Sequence, residues 1–226
     1  MSPRTDAIRA GDGSRLLGHL PAGERRTFTE RCTTVELEFG QVLTEPAERV
    51  RYVYFPIAAT ISLNAPAGVG SRLEVALIGN EGLLGATVAL DDAAPLQALV
   101  QRPGSARRSS VVAFRTALLL SPALRATTVR YGYILLRQIA QTAACTRYHP
   151  LEARLARWLL MTQDRAGGCA FRLTQAYLGR MLGVRRVGVT MAARAAVAPS
   201  DWLPSRHDHC REPAWPRSRG VSMLRR

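Results

Sequence analysis

Hydrophobic and polar positions along this chain alternate with two different periods, and the switch between them divides it. Residues 1–32 form a poorly patterned lead-in, with one short helix expected around Glu24 to Cys32. From Thr33 the period is two. Val35, Leu37 and Phe39 alternate with Thr34, Glu36 and Glu38, which predicts a half-buried strand. Gly40 turns it into Gln41-Val42-Leu43, Glu45 to Glu48 reads as a loop, and Tyr52 to Pro56 and Ile57 to Leu63 are further strands. Gly68-Val69-Gly70 predicts a hairpin turn before Leu73 to Ile78. Gly79, Gly82 and Gly85 punctuate the next stretch, where sheet corners need positive φ or close backbone approach. After a loop around Asp91 to Pro95, Leu96 to Gln101 and Ser105 to Phe114 are strands separated by a turn at Pro103-Gly104. Short strands at this spacing predict an antiparallel barrel or roll of roughly a hundred residues.

At Phe114 the period becomes helical. Arg115 to Leu120 leads to Ser121-Pro122, an N-cap followed by proline at the first helical position. The helix predicted from there to about Tyr148 is long for a globular protein. Leu124, Thr128, Tyr131, Leu135, Gln138, Thr142 and Cys145 follow alternating steps of four and three. That seam is expected to pair two subunits as a two-helix coil. The competing use of the helix, packing on its own β domain, is assigned to Ile134 and Ile139. His149-Pro150 breaks the helix and Pro150 starts another. Its buried stripe is Leu151, Leu155, Trp158 and Leu159, with Arg154 and Arg157 on the outer side.

Gly167-Gly168 ends that segment, and Phe171-Arg172-Leu173 reads as a short strand edge. Thr174 is the predicted N-cap of a helix in which Tyr177, Leu178, Met181 and Leu182 recur at helical spacing. Gly183 can end it in the left-handed conformation, Val184 is a buried turn residue, and a second helix starts near Arg185. On it Val189 and Ala192 or Ala193 face inward, while Arg185, Arg186, Val187 and Thr190 face out. Two short helices joined by a turn of three to four residues with a glycine have the form of a helix-turn-helix, whose second helix enters the DNA major groove. An ordinary helical hairpin has the same periodicity. The outward arginine pair separates the two readings, because Arg suits guanine edges and phosphate.

Charge adds weight to this. The formal net charge is +14 and every basic residue is Arg. Residues 1–93 carry 9 Arg against 12 acids, a net of −3; residues 94–193 carry 15 against 2, a net of +13; residues 194–226 carry 7 against 3, a net of +4. The excess lies in the part holding the helix pair, as an electrostatic footprint on DNA requires. A composition of 47% hydrophobic and 21% charged residues is that of a soluble globular chain. No apolar run is long enough to span a membrane and the N-terminus lacks a signal-peptide core, so the expected location is the cytoplasm. Cys32, Cys145, Cys169 and Cys210 are scattered and predict neither a zinc site nor a disulfide framework. No nucleophile with a nearby His, no catalytic carboxylate pair and no phosphate loop stands out, so an enzyme is not expected.

The wording of several segments resembles the Crp/Fnr superfamily of bacterial regulators: V-Y-F-P-x-x-A-x-I-S-L from Val53, E-V-A-L-I-G-N-E-G-L-L-G from Glu74, H-P-L-E-A-R-L-A-R-W-L-L from His149, and L-T-Q-x-x-L-x-x-M-L-G-V-R-R from Leu173. The resemblance spans about residues 35–193. It implies an α+β fold: an antiparallel, cyclic-nucleotide-binding-like β-roll sensor at 33–120, a connecting dimerisation helix at 121–148 and a helix-turn-helix domain at 149–193. It implies a dimeric, sequence-specific transcription regulator whose partners are double-stranded DNA, a second copy of itself and RNA polymerase, with no membrane. Thr174 and Gln175 would approach the DNA backbone, while Arg185, Arg186, Val187 and Thr190 would face the groove.

Three departures bound that implication. Members that read the well-known half-site carry Glu after the arginine that aligns with Arg186, and here Val187 stands there, so the target sequence is not transferable. Cyclic-nucleotide binders carry an F-G-E segment and a later Arg-Ser/Thr-Ala, whereas this chain has L-L-G-A-T-V-A-L-D-D-A-A-P-L-Q-A, without the partner for a cyclic phosphate. Cys32 alone cannot hold an iron–sulfur cluster, and no His lies in the β-roll for haem. No cofactor is expected and no effector is named.

Residues 194–226 form an irregular tail in place of the expected wing, because Pro199, Pro204, Pro213 and Pro216 oppose strands and long helices. Its wording is that of GC-rich DNA read out of frame, as after a frameshift near residue 193. Codons for Arg206-His207-Asp208-His209-Cys210, shifted by one base, can spell Gly-Thr-Thr-Ile. His207, His209 and Cys210 are accordingly not taken as a metal site. The rival function is a dimeric sensory or scaffold protein that has lost DNA binding through this aberrant C-terminus.

Overall fold

The computed structural model describes residues 13–68, 72–89, 93–166, 172–184, 188, 190–192 and 222–224. The predicted features at Val69-Gly70, Asp91, Gly167-Gly168, Phe171 and 194–221 lie outside the described residues. Two short helices, α1 (Arg15–Gly18) and α2 (Ala22–Thr29), come first. Leu16, Leu17, Leu20 and Phe28 are buried, so the lead-in belongs to the core. Phe28 meets Phe55 edge-on at a centroid distance of 5.4 Å, and Phe55 meets Phe114 at 5.9 Å.

Seven strands follow: β1 (Thr33–Leu37), β2 (Val42–Thr44), β3 (Tyr52–Pro56), β4 (Thr60–Pro66), β5 (Arg72–Ile78), β6 (Gln97–Arg102) and β7 (Gly104–Ser110), with a 3-10 turn at Ala86–Ala89. They form two sheets, ordered β1-β7-β3 and β2-β6-β4-β5, with every pairing in them antiparallel. The predicted antiparallel β-roll of an α+β fold is therefore present. Two local expectations fail. The strand predicted through Phe114 stops at Ser110, whose hydroxyl accepts from the Ala113 N–H at 3.2 Å and caps helix α3 (Val111–Leu120). Phe39, expected to face inward with Val35 and Leu37, lies past the end of β1 and is exposed.

Helix α4 (Pro122–Tyr148) begins as its sequence predicts, with the Ser121 hydroxyl accepting from the Leu124 N–H at 3.0 Å and Pro122 in the first turn. Its seam requires correction. Leu124, Thr128 and Tyr131 are buried in their own chain, and Leu135 packs half-buried on the β-roll core. With the amide oriented to suit its surroundings, Gln138 donates to the Leu77 carbonyl and accepts from the Leu77 N–H, each at 3.2 Å. Thr142 donates to the Gln138 carbonyl at 2.9 Å. The predicted dimer seam is thus the face that covers the β-roll. The solvent face carries a second stripe with the same steps of three and four: Ala126, Val129, Tyr133, Leu136, Ala140 and Ala143. Val129, Tyr133 and Leu136 are 69%, 61% and 62% exposed. Spacing alone cannot say which of two such stripes is inside. Ile139 packs on the core as expected, whereas Ile134 is exposed.

Helix α5 (Leu151–Ala166), strand β8 (Arg172–Thr174), helix α6 (Gln175–Leu182) and strand β9 (Ser222–Leu224) complete the described elements. Strand β9 pairs in parallel with β8, so the tail is not wholly irregular; it forms this strand beyond Pro216, its last proline. No helix among the described residues is long and apolar enough to cross a membrane. Cys145 is buried, and burial pushes the Cys32 thiol up to about 11, which leaves it a poor nucleophile.

Leu124→Ala should lower stability by about 2–5 kcal/mol through the cavity it leaves. Val129→Ala, measured at concentrations where single chains prevail, should stay within about 0.5 kcal/mol. Urea melts that rank the two the other way would reverse the assignment of faces.

Candidate nucleic-acid interface

Helix α6 starts at Gln175, directly after Thr174, which ends β8 and so occupies the N-cap position its sequence predicts. Tyr177, Leu178, Met181 and Leu182 are buried against Leu155, Trp158 and Leu159 of α5 and against Ala192. Burial of each large apolar side chain contributes about 1.5–3 kcal/mol, so this small core holds the helices together. Gly183 takes φ +65°. The Val184 N–H donates to the Gly179 carbonyl at 2.9 Å and the Gly183 N–H to the Arg180 carbonyl at 3.3 Å, the paired closure that ends a helix on a left-handed residue. Residues 188 and 190–192 are helical again, with Ala192 buried, Thr190 half-buried and Met191 exposed. A Cβ on Gly188 would stand 3.3 Å from Leu151, so the second helix crosses close over the start of α5. Helix α6 thus ends in a tight turn at Gly183, and the helical residues 188 and 190–192 follow beside α5.

Of the residues expected to meet DNA, Thr174 and Gln175 lie at the start of α6 and Thr190 on the following helix. Arg185, Arg186 and Val187 lie outside the described residues, as do Val189 and Ala193. Two expected outer residues turn inward. Arg154 donates from Nη2 to the Leu182 carbonyl at 2.5 Å, placing a cation at the C-terminal end of α6, where carbonyls lack helical partners. Partial burial draws its pKa below the usual arginine value, with the nearby Cys145 opposing that shift. Arg157 donates to the Thr142 hydroxyl at 3.2 Å and ties α5 to α4. Charges at the edge of an amphipathic stripe are ordinarily solvated, but here α4 and α6 supply acceptors.

Sequence reasoning passed over the contact between this helical unit and the β-roll. The Trp158 indole N–H donates to Glu74 Oε1 at 2.5 Å, in a region where Glu74 is buried. Burial raises the Glu74 carboxyl to about 8, against the opposing influence of the Trp158 hydrogen bond and Arg165. Burial also raises Tyr177, and the neighbouring Glu74 adds to that shift. At the far end of α5, Arg165 Nε pairs with Glu81 Oε1 at 2.8 Å. A lone acid in the apolar run from Leu73 to Ile78 was the available signal.

No family model and no curated relative matches this sequence. Solved structures do match its shape. CLP, described as a c-di-GMP-responsive global regulator that links cell–cell signalling to virulence gene expression in Xanthomonas campestris, is 14% identical, with a TM-score of 0.65 over 77% of this chain and 91% of that one. FixK2 from Bradyrhizobium japonicum is 17% identical, with a TM-score of 0.63 over 73% and 83%. A protein of Eubacterium rectale described as a transcriptional regulator of the Crp/Fnr family is 10% identical, with a TM-score of 0.64 over 80% and 85%. The chain has a Crp/Fnr-like fold.

Gly183→Ala should destabilise the chain by about 1–2 kcal/mol, the cost of a left-handed backbone bearing a Cβ. That Cβ would also stand 3.1 Å from Leu73 of β5. A thermal melt of the variant that coincides with that of the parent would contradict this account of the turn.

Proposed function

We propose that this chain is a sequence-specific, DNA-binding transcription regulator that works as a homodimer in the cytoplasm. The observation that carries the reading is the helix pair closed by Gly183, set in the part of the chain where the basic excess lies. The Crp/Fnr-like fold supports it. In this reading Thr174 and Gln175 lie near the DNA backbone, and Arg185, Arg186, Val187 and Thr190 face the groove. Arg186 reads a base, bidentate to guanine, and contributes about 1–3 kcal/mol of discrimination, while Arg185 holds phosphate. Helix α4 joins the two copies through its solvent stripe of Val129, Tyr133 and Leu136 rather than through Leu124, Thr128 and Tyr131.

Selection from a random DNA pool, followed by gel shifts over a salt series, tests the reading. Binding should be sequence-selective and should weaken steeply with salt. Arg186→Ala should relax selectivity, and Arg185→Ala should weaken all sites alike. Absence of binding at low salt would favour the scaffold reading instead. Separately, Leu136→Glu should convert a dimer into a single chain in sedimentation, because a charge would sit in the centre of the joined stripe. An unchanged sedimentation coefficient would remove α4 from the interface.

A further inference from the structure

We propose that Glu74 and Trp158 form a proton-operated latch, which holds the helix-turn-helix half against the β-roll and releases it when the carboxyl ionises. The latch concerns how the two halves of one chain dock, and it holds whether or not the helix pair meets DNA.

Its geometry begins in the sheet. The register between β4 and β5 slips at Leu63/Asn64: Leu63 faces Ala76 and Asn64 faces Glu74, which leaves Val75 without a partner of its own. A bulge of this kind re-aims the side chains beyond it. Val75 and Ala76 pack with the β-roll core, and Glu74 meets α5 through Trp158. Trp158 belongs to the same apolar cluster as Tyr177 and Leu178 of α6, so one hydrogen bond spans the junction of sensor strand and DNA-binding helices. Two further contacts share the junction: the Arg165–Glu81 ion pair, and the rings of Phe39 and Tyr177 with centroids 6.0 Å apart.

The carboxyl is poorly equipped to be an anion there. Its Oε2 has no hydrogen-bond partner among the described residues, and the Thr162 hydroxyl on α5 is in the same position. The groups facing the junction are Arg154, Arg157 and Arg165 from α5, Cys145 from α4, Tyr177 with Arg180 behind it from α6, and Asn64 from β4. Arg154 is engaged with Leu182, Arg157 with Thr142 and Arg165 with Glu81. The cavity bounded by Glu74, Cys145, Arg154, Arg157 and Trp158 is about 30 Å³, room for about one water molecule.

Docked, the carboxyl titrates near 8; undocked and solvated, it returns to its ordinary 4.5. Below the lower value it is protonated in both states and docking is at its strongest. Between the two values undocking releases a proton, so each unit of rising pH shifts the ratio towards the undocked state by up to about tenfold. Above the upper value both states are ionised and the ratio levels off at its weakest.

The test uses the full chain with Trp202→Phe and Trp215→Phe, which leaves Trp158 as the single indole. Emission and acrylamide quenching are followed from about pH 5 to about pH 9, with far-UV circular dichroism as the check on folding. The expected result is a red shift and a several-fold rise in quenching with rising pH, at constant secondary structure. Glu74→Gln keeps an acceptor for the indole but cannot ionise, so it should stay blue-shifted throughout. Glu81→Gln should shrink the transition without abolishing it, because Arg165 becomes available to the ionised Glu74 and brings its docked titration nearer the ordinary value. A parent protein whose emission ignores pH overturns the latch even if Glu74→Gln fails to fold. So does a transition that disappears with Glu81 or persists with Gln at 74. A clear transition in a protein that binds no DNA at any pH supports the latch and removes the regulator reading.

Discussion

Helix α4 must lie across the β-roll along Leu124, Thr128 and Tyr131, and the position of everything after it depends on that contact. Gly82 permits it: a Cβ there would collide with the Tyr131 ring, so the absence of a side chain lets the helix approach the turn between β5 and the 3-10 segment. The Tyr131 phenol, raised by burial far from its ordinary value, is held by a backbone hydrogen bond at Leu83. Two polar members further along the stripe are tolerable because they find partners. Gln138 finds the backbone of Leu77 and Thr142 finds Arg157, so burial costs them little.

Strand β5 serves two masters. Its interior positions Ala76 and Ile78 fill the β-roll core, while Leu77 meets α4 and Glu74 meets α5. Such a shared strand makes the β-roll half and the helical half mechanically continuous. Without the slipped register at Val75, alternation would send an acidic group to a different face. The ion pair of Arg165 with Glu81 places a second tie on the turn that also receives Tyr131. One short turn therefore touches both long helices.

Much of this was readable beforehand. Period-two segments gave the strands, Ser121-Pro122 gave the start of α4, and Gly183 with its apolar neighbours gave α6 and its end. These features are local, and local chemistry leaves local marks. The faces of α4 were not readable, because two stripes of equal spacing compete and only the rest of the fold chooses between them. Arg154 and Arg157 misled for a related reason: their acceptors, Leu182 and Thr142, are distant in sequence. Glu74 was visible as an oddity but silent about its partner, 84 residues away. The buried lead-in carries too few apolar positions to show a period.

The two stripes of α4 bear on how such a chain can change over time. Their members are offset by two residues, which sets them roughly 200° apart around the axis. Gaining or losing one residue in the middle of α4 would swing every later side chain by roughly 100°, and neither face could keep its partner. Substitutions can accumulate along this rod, but changes in its length cannot. Lineages descended from a common ancestor should therefore differ in the length of their connecting turns while this rod keeps a constant count between Ser121 and His149.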